Sequence, residues 1–184
     1  EQHENPLKKG LITYAVPFFF TMLLLVFEIL LIHGFSGIFN GVDLTNLAIE
    51  LFLIIIGSVV LVPILFLFEI VALYIFGGLQ FILTSFYKKD RGSMHMFMGS
   101  FLKVMASVRL IVGLLILVPI VGWLGAAIAK LYGLMLNYRF IREKFNLNDS
   151  QSAIVVLIPT NLFLSIILIV VTAISFFLIG SRVL

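Results

Sequence analysis

The chain has no cysteine among its 184 residues. A disulfide framework, a thiolate nucleophile and a zinc–cysteine centre are therefore excluded. Charge is scarce too: Asp, Glu, Lys and Arg make up 11% of the residues, against about 25% in a soluble domain. No serine and histidine fall into a triad-like grouping, since His3 lies in the N-terminal tail and His33 at the end of an apolar run. No glycine-rich loop leads into Lys-Ser/Thr to cradle a phosphate. The reading is of a non-enzymatic chain with no cofactor.

Apolar side chains are present in excess: 62% of residues are hydrophobic and the mean hydropathy is +1.23. A soluble domain of this length buries only about 70% of the surface its unfolded chain exposes, so water cannot be the solvent for the remainder. The apolar runs are continuous over about twenty residues or more, as a spanning helix requires. They do not alternate polar and apolar as the strands of a membrane barrel do. The expected fold is an all-α polytopic transmembrane bundle forming a single domain over residues 1–184.

Eight of the twelve Lys and Arg residues fall in three short clusters: Lys8-Lys9; Lys88, Lys89 and Arg91; and Arg139, Arg142 and Lys144. They sit at the ends of apolar runs and not along one face, which argues for membrane orientation and against nucleic acid. Five runs are expected to cross, at about residues 11–33, 47–87, 98–119, 121–138 and 153–180. The first follows a basic stretch but is too long for a signal peptide, so it reads as retained. Residues 34–46 read as a Gly-rich loop without Lys or Arg. The second run is 41 residues long, roughly 60 Å as one helix, and Gly57-Ser58 and Pro63 predict a kink or break in it. Counted as one crossing, it places all eight clustered cations on the N-terminal side, with Arg182 opposite. Counted as two, it leaves three inside against six outside. The positive-inside rule favours five spans, with the N-terminus cytoplasmic.

Glu28, Glu50, Glu69, Arg109 and Lys130 lie within or at the edges of these runs. Each costs about 2.5–3.5 kcal/mol at the bilayer centre unless paired or hydrated. Glu69, Arg109 and Lys130 fall near the middle of the second, third and fourth runs, so a Glu69–Arg109 or a Glu69–Lys130 pair is expected. One reading is a polar site or ion pathway at the midplane, joined by Glu28. The other is an ion-pair clamp between helices, with the cations snorkelling toward headgroups. Glu50 is expected near the outer interface. Gly125, Ala129 and Gly133, spaced by four, predict close helix packing, and Gly77-Gly78 a second contact or a bend. Met94, His95, Met96 and Met98 carry ligand types that suit Cu(I). Interfacial methionines commonly pack, however, and no metal site is expected.

The order of features in the second half resembles the Yip (Ypt-interacting protein) domain family. A basic turn, Lys88-Lys89-Asp90-Arg91-Gly92-Ser93, precedes Gly99-Ser100-Phe101-Leu102-Lys103. Leu117-Val118-Pro119-Ile120-Val121-Gly122-Trp123 then leads into a small-residue helix ending Tyr138-Arg139-Phe140-Ile141-Arg142. Asn146-Leu147-Asn148-Asp149-Ser150-Gln151-Ser152-Ala153 opens the last run, with Ile158-Pro159 inside it. The resemblance implies a five-span bundle with the N-terminus inside. Eukaryotic relatives are associated with Rab-type GTPases and carry a long cytosolic N-terminal region. Here only residues 1–10 precede the first run, which makes the chain look like a prokaryotic member in the plasma (inner) membrane. Membrane organisation or partner scaffolding is the implied role. Lys88, Lys89, Arg91, Arg139, Arg142 and Lys144 in loops 88–98 and 139–152 would face protein partners or anionic headgroups. The runner-up is a small transporter or channel built on the intramembrane charges.

Overall fold

A computed structural model describes residues 5–90, 92–116 and 121–180. Five helices follow one another: α1 (Pro6–Phe39), α2 (Leu44–Ser85), α3 (Met94–Ile116), α4 (Val121–Phe145) and α5 (Asp149–Gly180). The described residues contain no strand. Four helices, α1, α2, α3 and α5, are long and apolar enough to cross a membrane. Among the described residues α4 does not reach that level, with Lys130, Asn137 and the charged residues from Arg139 on lowering its hydropathy. The expectation of five spans thus meets five helices but only four of spanning character.

Local chemistry sets the ends. Asn5 caps α1 by accepting the Leu7 N–H at 3.1 Å, and Pro6 occupies the first turn where its missing donor costs nothing. α1 runs through most of the expected loop 34–46. It stops only where Gly41 takes a left-handed φ of 67° and the Val42 N–H returns to the Gly37 carbonyl at 3.0 Å. Asn146, at φ 49°, closes α4 in the same way, with the Leu147 N–H on the Arg142 carbonyl. Two residues on, Asn148 and Gln151 cap α5 reciprocally: each side-chain oxygen accepts the other's backbone N–H, at 2.9 and 3.2 Å.

The break anticipated in the second run is absent, since α2 continues through Pro63 for 42 residues. Proline removes one backbone donor, whereas ending the helix there would strand several polar groups in an apolar medium. At 1.5 Å per residue α1 is about 51 Å long, α2 about 63 Å, α3 about 34 Å and α4 about 37 Å.

α1 and α3 run parallel and make the most extensive contact. A Cβ at Gly10 would stand 2.6 Å from the Gly99 carbonyl oxygen, and one at Gly99 would overlap the Pro6 carbonyl, so the two backbones touch. Further along, Gly113 receives Thr21. α4 returns along α3: Gly125 lies against Leu115, Gly133 against Val108, and Ala129 is buried between them. The expected small-residue packing of Gly125, Ala129 and Gly133 is therefore placed against α3. Gly77 of α2 packs on Met98 and Phe101. Below these contacts a buried core joins Phe81, Phe97, Met98, Phe101, Ile141, Phe145 and Val155 from four helices. Tyr14, Phe18, Leu102 and Ala106 form a second core between α1 and α3.

Candidate functional site

The helix register brings Glu69 of α2 and Arg109 of α3 together. An Arg109 guanidinium nitrogen lies 3.2 Å from Glu69 Oε2, and the other carboxylate oxygen accepts a short hydrogen bond from the Tyr14 hydroxyl of α1. The guanidinium also stands over the Phe18 ring, 5.0 Å from its centroid, where the ring quadrupole attracts it. Both charged side chains are mostly covered, at 20% and 29% exposure, so neither is surrounded by bulk solvent. The Thr21 hydroxyl reaches the Arg109 carbonyl at 3.3 Å, tying α1 to the same turn of α3. Arg109 Nε is buried without a partner among the described residues.

Of the two pairings open from sequence, Glu69–Arg109 is the one formed. Lys130 is exposed on α4 and Glu28 half-buried on α1, and neither has a partner among the described residues. Lys130 is excluded because the small-residue line of its helix faces α3 and turns it outward. Glu28 lies fourteen residues beyond Tyr14 along α1, too far to join. Tyr14 escaped the sequence reading because a tyrosine inside an apolar run looks like packing. Only the α1–α2 register shows that its hydroxyl meets Glu69.

Beside the triad, a cleft of about 380 Å³ is lined by Glu69, Leu73, Phe76, Met105, Leu134 and Phe163, among others. Glu69 is its one charged residue, and both carboxylate oxygens are already engaged. The arrangement ties three helices, α1, α2 and α3, together.

Near the far end of the α1–α2 hairpin, His33 Nε2 and Glu50 Oε2 stand 2.7 Å apart. Glu50, expected near an interface, has this histidine as its partner. No group of three or more metal-ligating His, Asp or Glu exists among the described residues. Met98 is buried on Gly77, while Met94, His95 and Met96 are exposed.

The basic end is more elaborate. Lys144 donates to the Met96 carbonyl at 3.2 Å and to Ser100 Oγ at 2.9 Å, and lies over the Phe140 and Phe97 rings. Burial, and then the nearby Lys103 charge, hold its ammonium pKa below the ordinary lysine value. Arg142 pairs with Asp149 at 3.1 Å, and the Tyr138 hydroxyl donates to the same Asp149 oxygen. Arg139, Arg142, Glu143, Asn146 and Leu147 line a shallow pocket of about 480 Å³. Lys89 is exposed and Lys88 half-buried; Arg91 lies outside the described residues.

Two buried amides were not anticipated. Gln80 and Asn137 are fully buried, and neither side chain has a hydrogen-bond partner among the described residues. Compared with protein-family models, curated proteins and solved structures, the chain matches none.

Proposed function

We propose that this chain is a non-enzymatic integral membrane protein of the Yip-like kind, acting in membrane organisation or as a scaffold for a protein partner. It would reside in a prokaryotic plasma membrane. The N-terminus and the three basic clusters face the cytoplasm, and the chain makes an odd number of crossings. Loops 88–98 and 139–152 carry the contact surface.

What supports this reading over a transporter is the saturation of Glu69. Its two oxygens are held by Tyr14 and Arg109, and the neighbouring cleft is otherwise almost wholly apolar. A translocation site needs a hydrated or exchangeable polar group at that place. The basic end, by contrast, presents Arg139, Arg142 and Asn146 on a turn stiffened by the reciprocal Asn148–Gln151 cap and an ion pair.

Affinity capture from membranes with the full chain tests the reading. The expected result is one partner, lost when Arg139 and Arg142 are both changed to Ser. Liposome flux abolished by Glu69→Gln, with no loop-dependent partner, would replace the scaffold by the transporter.

A further inference from the structure

Two polar couples punctuate the α1–α2 hairpin, and their spacing is the same on both helices. From Tyr14 to His33 is nineteen residues along α1, and from Glu50 to Glu69 is nineteen along α2. At 1.5 Å per residue that is about 28 Å, close to the roughly 30 Å hydrocarbon thickness of a bilayer. Between the couples, α2 has no charged residue and α1 has only Glu28, which lies five residues from His33, within reach of the outer interface. On α5, Thr160 and Phe163 line the cleft beside Glu69, and no charged residue follows in the described helix from Asn161 on.

The described parts of α3 and α4 stop short of the His33–Glu50 couple. Gly113 is level with Thr21, and the described part of α3 reaches three residues further, to Ile116, so α1 continues about fifteen residues, some 22 Å, beyond that point. At the start of α3 Met94, His95 and Met96 are exposed; between Phe97 and Arg109 the exposed side chains are Lys103 and Ser107, and Leu110, Ile111 and Leu114 follow. On α4, Leu124 and Ile128 are exposed toward the α3 end, Lys130 comes next with Leu131, Tyr132 and Met135 also exposed, and Arg139 and Arg142 lie beyond. Between the Gly125–Leu115 and Gly133–Val108 contacts, Lys130 comes level with the turn that carries Arg109.

We propose that the hydrocarbon slab lies between the Tyr14–Glu69–Arg109 triad and the His33–Glu50 couple. Only α1, α2 and α5 cross it. The α3–α4 hairpin enters from the cytoplasmic side by about two turns, and the five-helix bundle below it is seated in the inner headgroup layer. The partner of that bundle's surface is the lipid phosphate layer, which Lys103, Lys130 and Arg139 meet as solvated cations.

This placement accounts for cations that five crossings leave unexplained. With three crossings and a re-entrant hairpin, every described Lys and Arg residue lies at or below the cytoplasmic interface. Non-spanning helices at membrane depth are permitted where, as here, protein covers one side of them. The triad, on this reading, marks the inner interface and not the midplane. The inference rests on membrane placement and not on partner binding, so failure of the capture experiment leaves it standing.

The absence of cysteine makes the test free of background. Single-cysteine variants Ser36→Cys, Val59→Cys, Ser107→Cys and Leu124→Cys of the full chain are placed in oriented vesicles and treated with an impermeant maleimide from each side. Ser107 should react from the side that carries loop 88–98 and Ser36 from the opposite side. Val59 and Leu124 should react from neither. Lys103→Cys replaces Ser107→Cys if the latter does not fold. A shielded cysteine at 107 or 103, or a Leu124 cysteine reached from the Ser36 side, means that α3 and α4 cross fully and overturns the proposal.

Discussion

The lower part of the molecule, where all five helices meet, and the upper part, where α1, α2 and α5 extend alone, are both built from apolar helices and are opposite in burial. The lower part holds nearly every buried hydrophobic, from Tyr14 and Phe18 to Phe97, Phe101, Ile141 and Val155. In the upper part Leu47 is the one buried large apolar residue of the first half of α2. The described side chains of α5 from Asn161 to Ser175 are all exposed. An apolar helix reads the same whether protein or lipid covers it. What distinguishes the two regions is the kind of residue at the contacts. Below, glycines bring backbones together and aromatic rings fill the space. Above, large side chains face outward all round.

Glycine substitutions should separate the regions most strongly. Gly99→Val places a branched side chain where even a Cβ overlaps the Pro6 backbone, and backbone cannot yield as a flexible side chain does. We expect a loss of about 3 kcal/mol or more, or failure to fold, read by thermal unfolding in detergent. Gly57→Ala in the upper part of α2 meets nothing within 4 Å and gains helix propensity, so it should be neutral or stabilise by up to about 1 kcal/mol. Equal effects at the two sites would erase the distinction.

The polar contacts of the lower part come next. Removing one partner of the triad leaves the other charge covered and unpaired, so Arg109→Leu and Glu69→Leu should each cost about 2–3 kcal/mol. Tyr14→Phe, which removes only a hydrogen bond, should cost about 1 kcal/mol. A double-mutant cycle between Glu69 and Arg109 showing no coupling would remove the clamp. Lys130→Leu, outside the triad, should change stability by less than about 0.5 kcal/mol.

Gln80 tests the lower core from the other direction. Its amide is fully buried and has no partner among the described residues, so Gln80→Leu should be neutral or stabilising by about 1 kcal/mol in chemical denaturation. A large destabilisation would mean that the amide has a partner in the membrane-bound protein.

The smallest effect expected is on pH dependence at Lys144. Its pKa is lower folded than unfolded, so below the folded value both states carry the proton and the burial cost is fully present. As pH rises from the folded value toward the ordinary lysine value, the unfolded chain holds more protons and stability increases. The slope should be shallow, because the group is partly solvated, and should vanish in Lys144→Met. A persistent slope would assign it to another lysine.

Much of this architecture was legible along the chain. The helical class, the positions of the turns after α2 and after α4, and the small-residue face of α4 follow from hydropathy and spacing. The loop after the first run was misplaced because Gly34 and Gly37 look like loop residues, yet both lie inside α1. Gly37 is kept small by Leu47 of the neighbouring helix. Of the kink or break expected at Gly57-Ser58 and Pro63, the break does not occur, because leaving the helix in an apolar medium costs more than one missing donor. Glu69 and Arg109 were found as costly charges, but composition offered Lys130 equally. Choosing between them required the register of α2, α3 and α4.

By itself the sequence determined that lipid solvates this protein, that its segments are helical, and which end carries the positive charge. Those properties depend on transfer free energies that act residue by residue. Only the tertiary structure decided which apolar faces are covered by protein, which carboxylate meets which cation, and how far each helix reaches beyond its neighbours. Those depend on packing between residues far apart in the chain, where one ångström at Gly10 and Gly99 sets the register of everything above them.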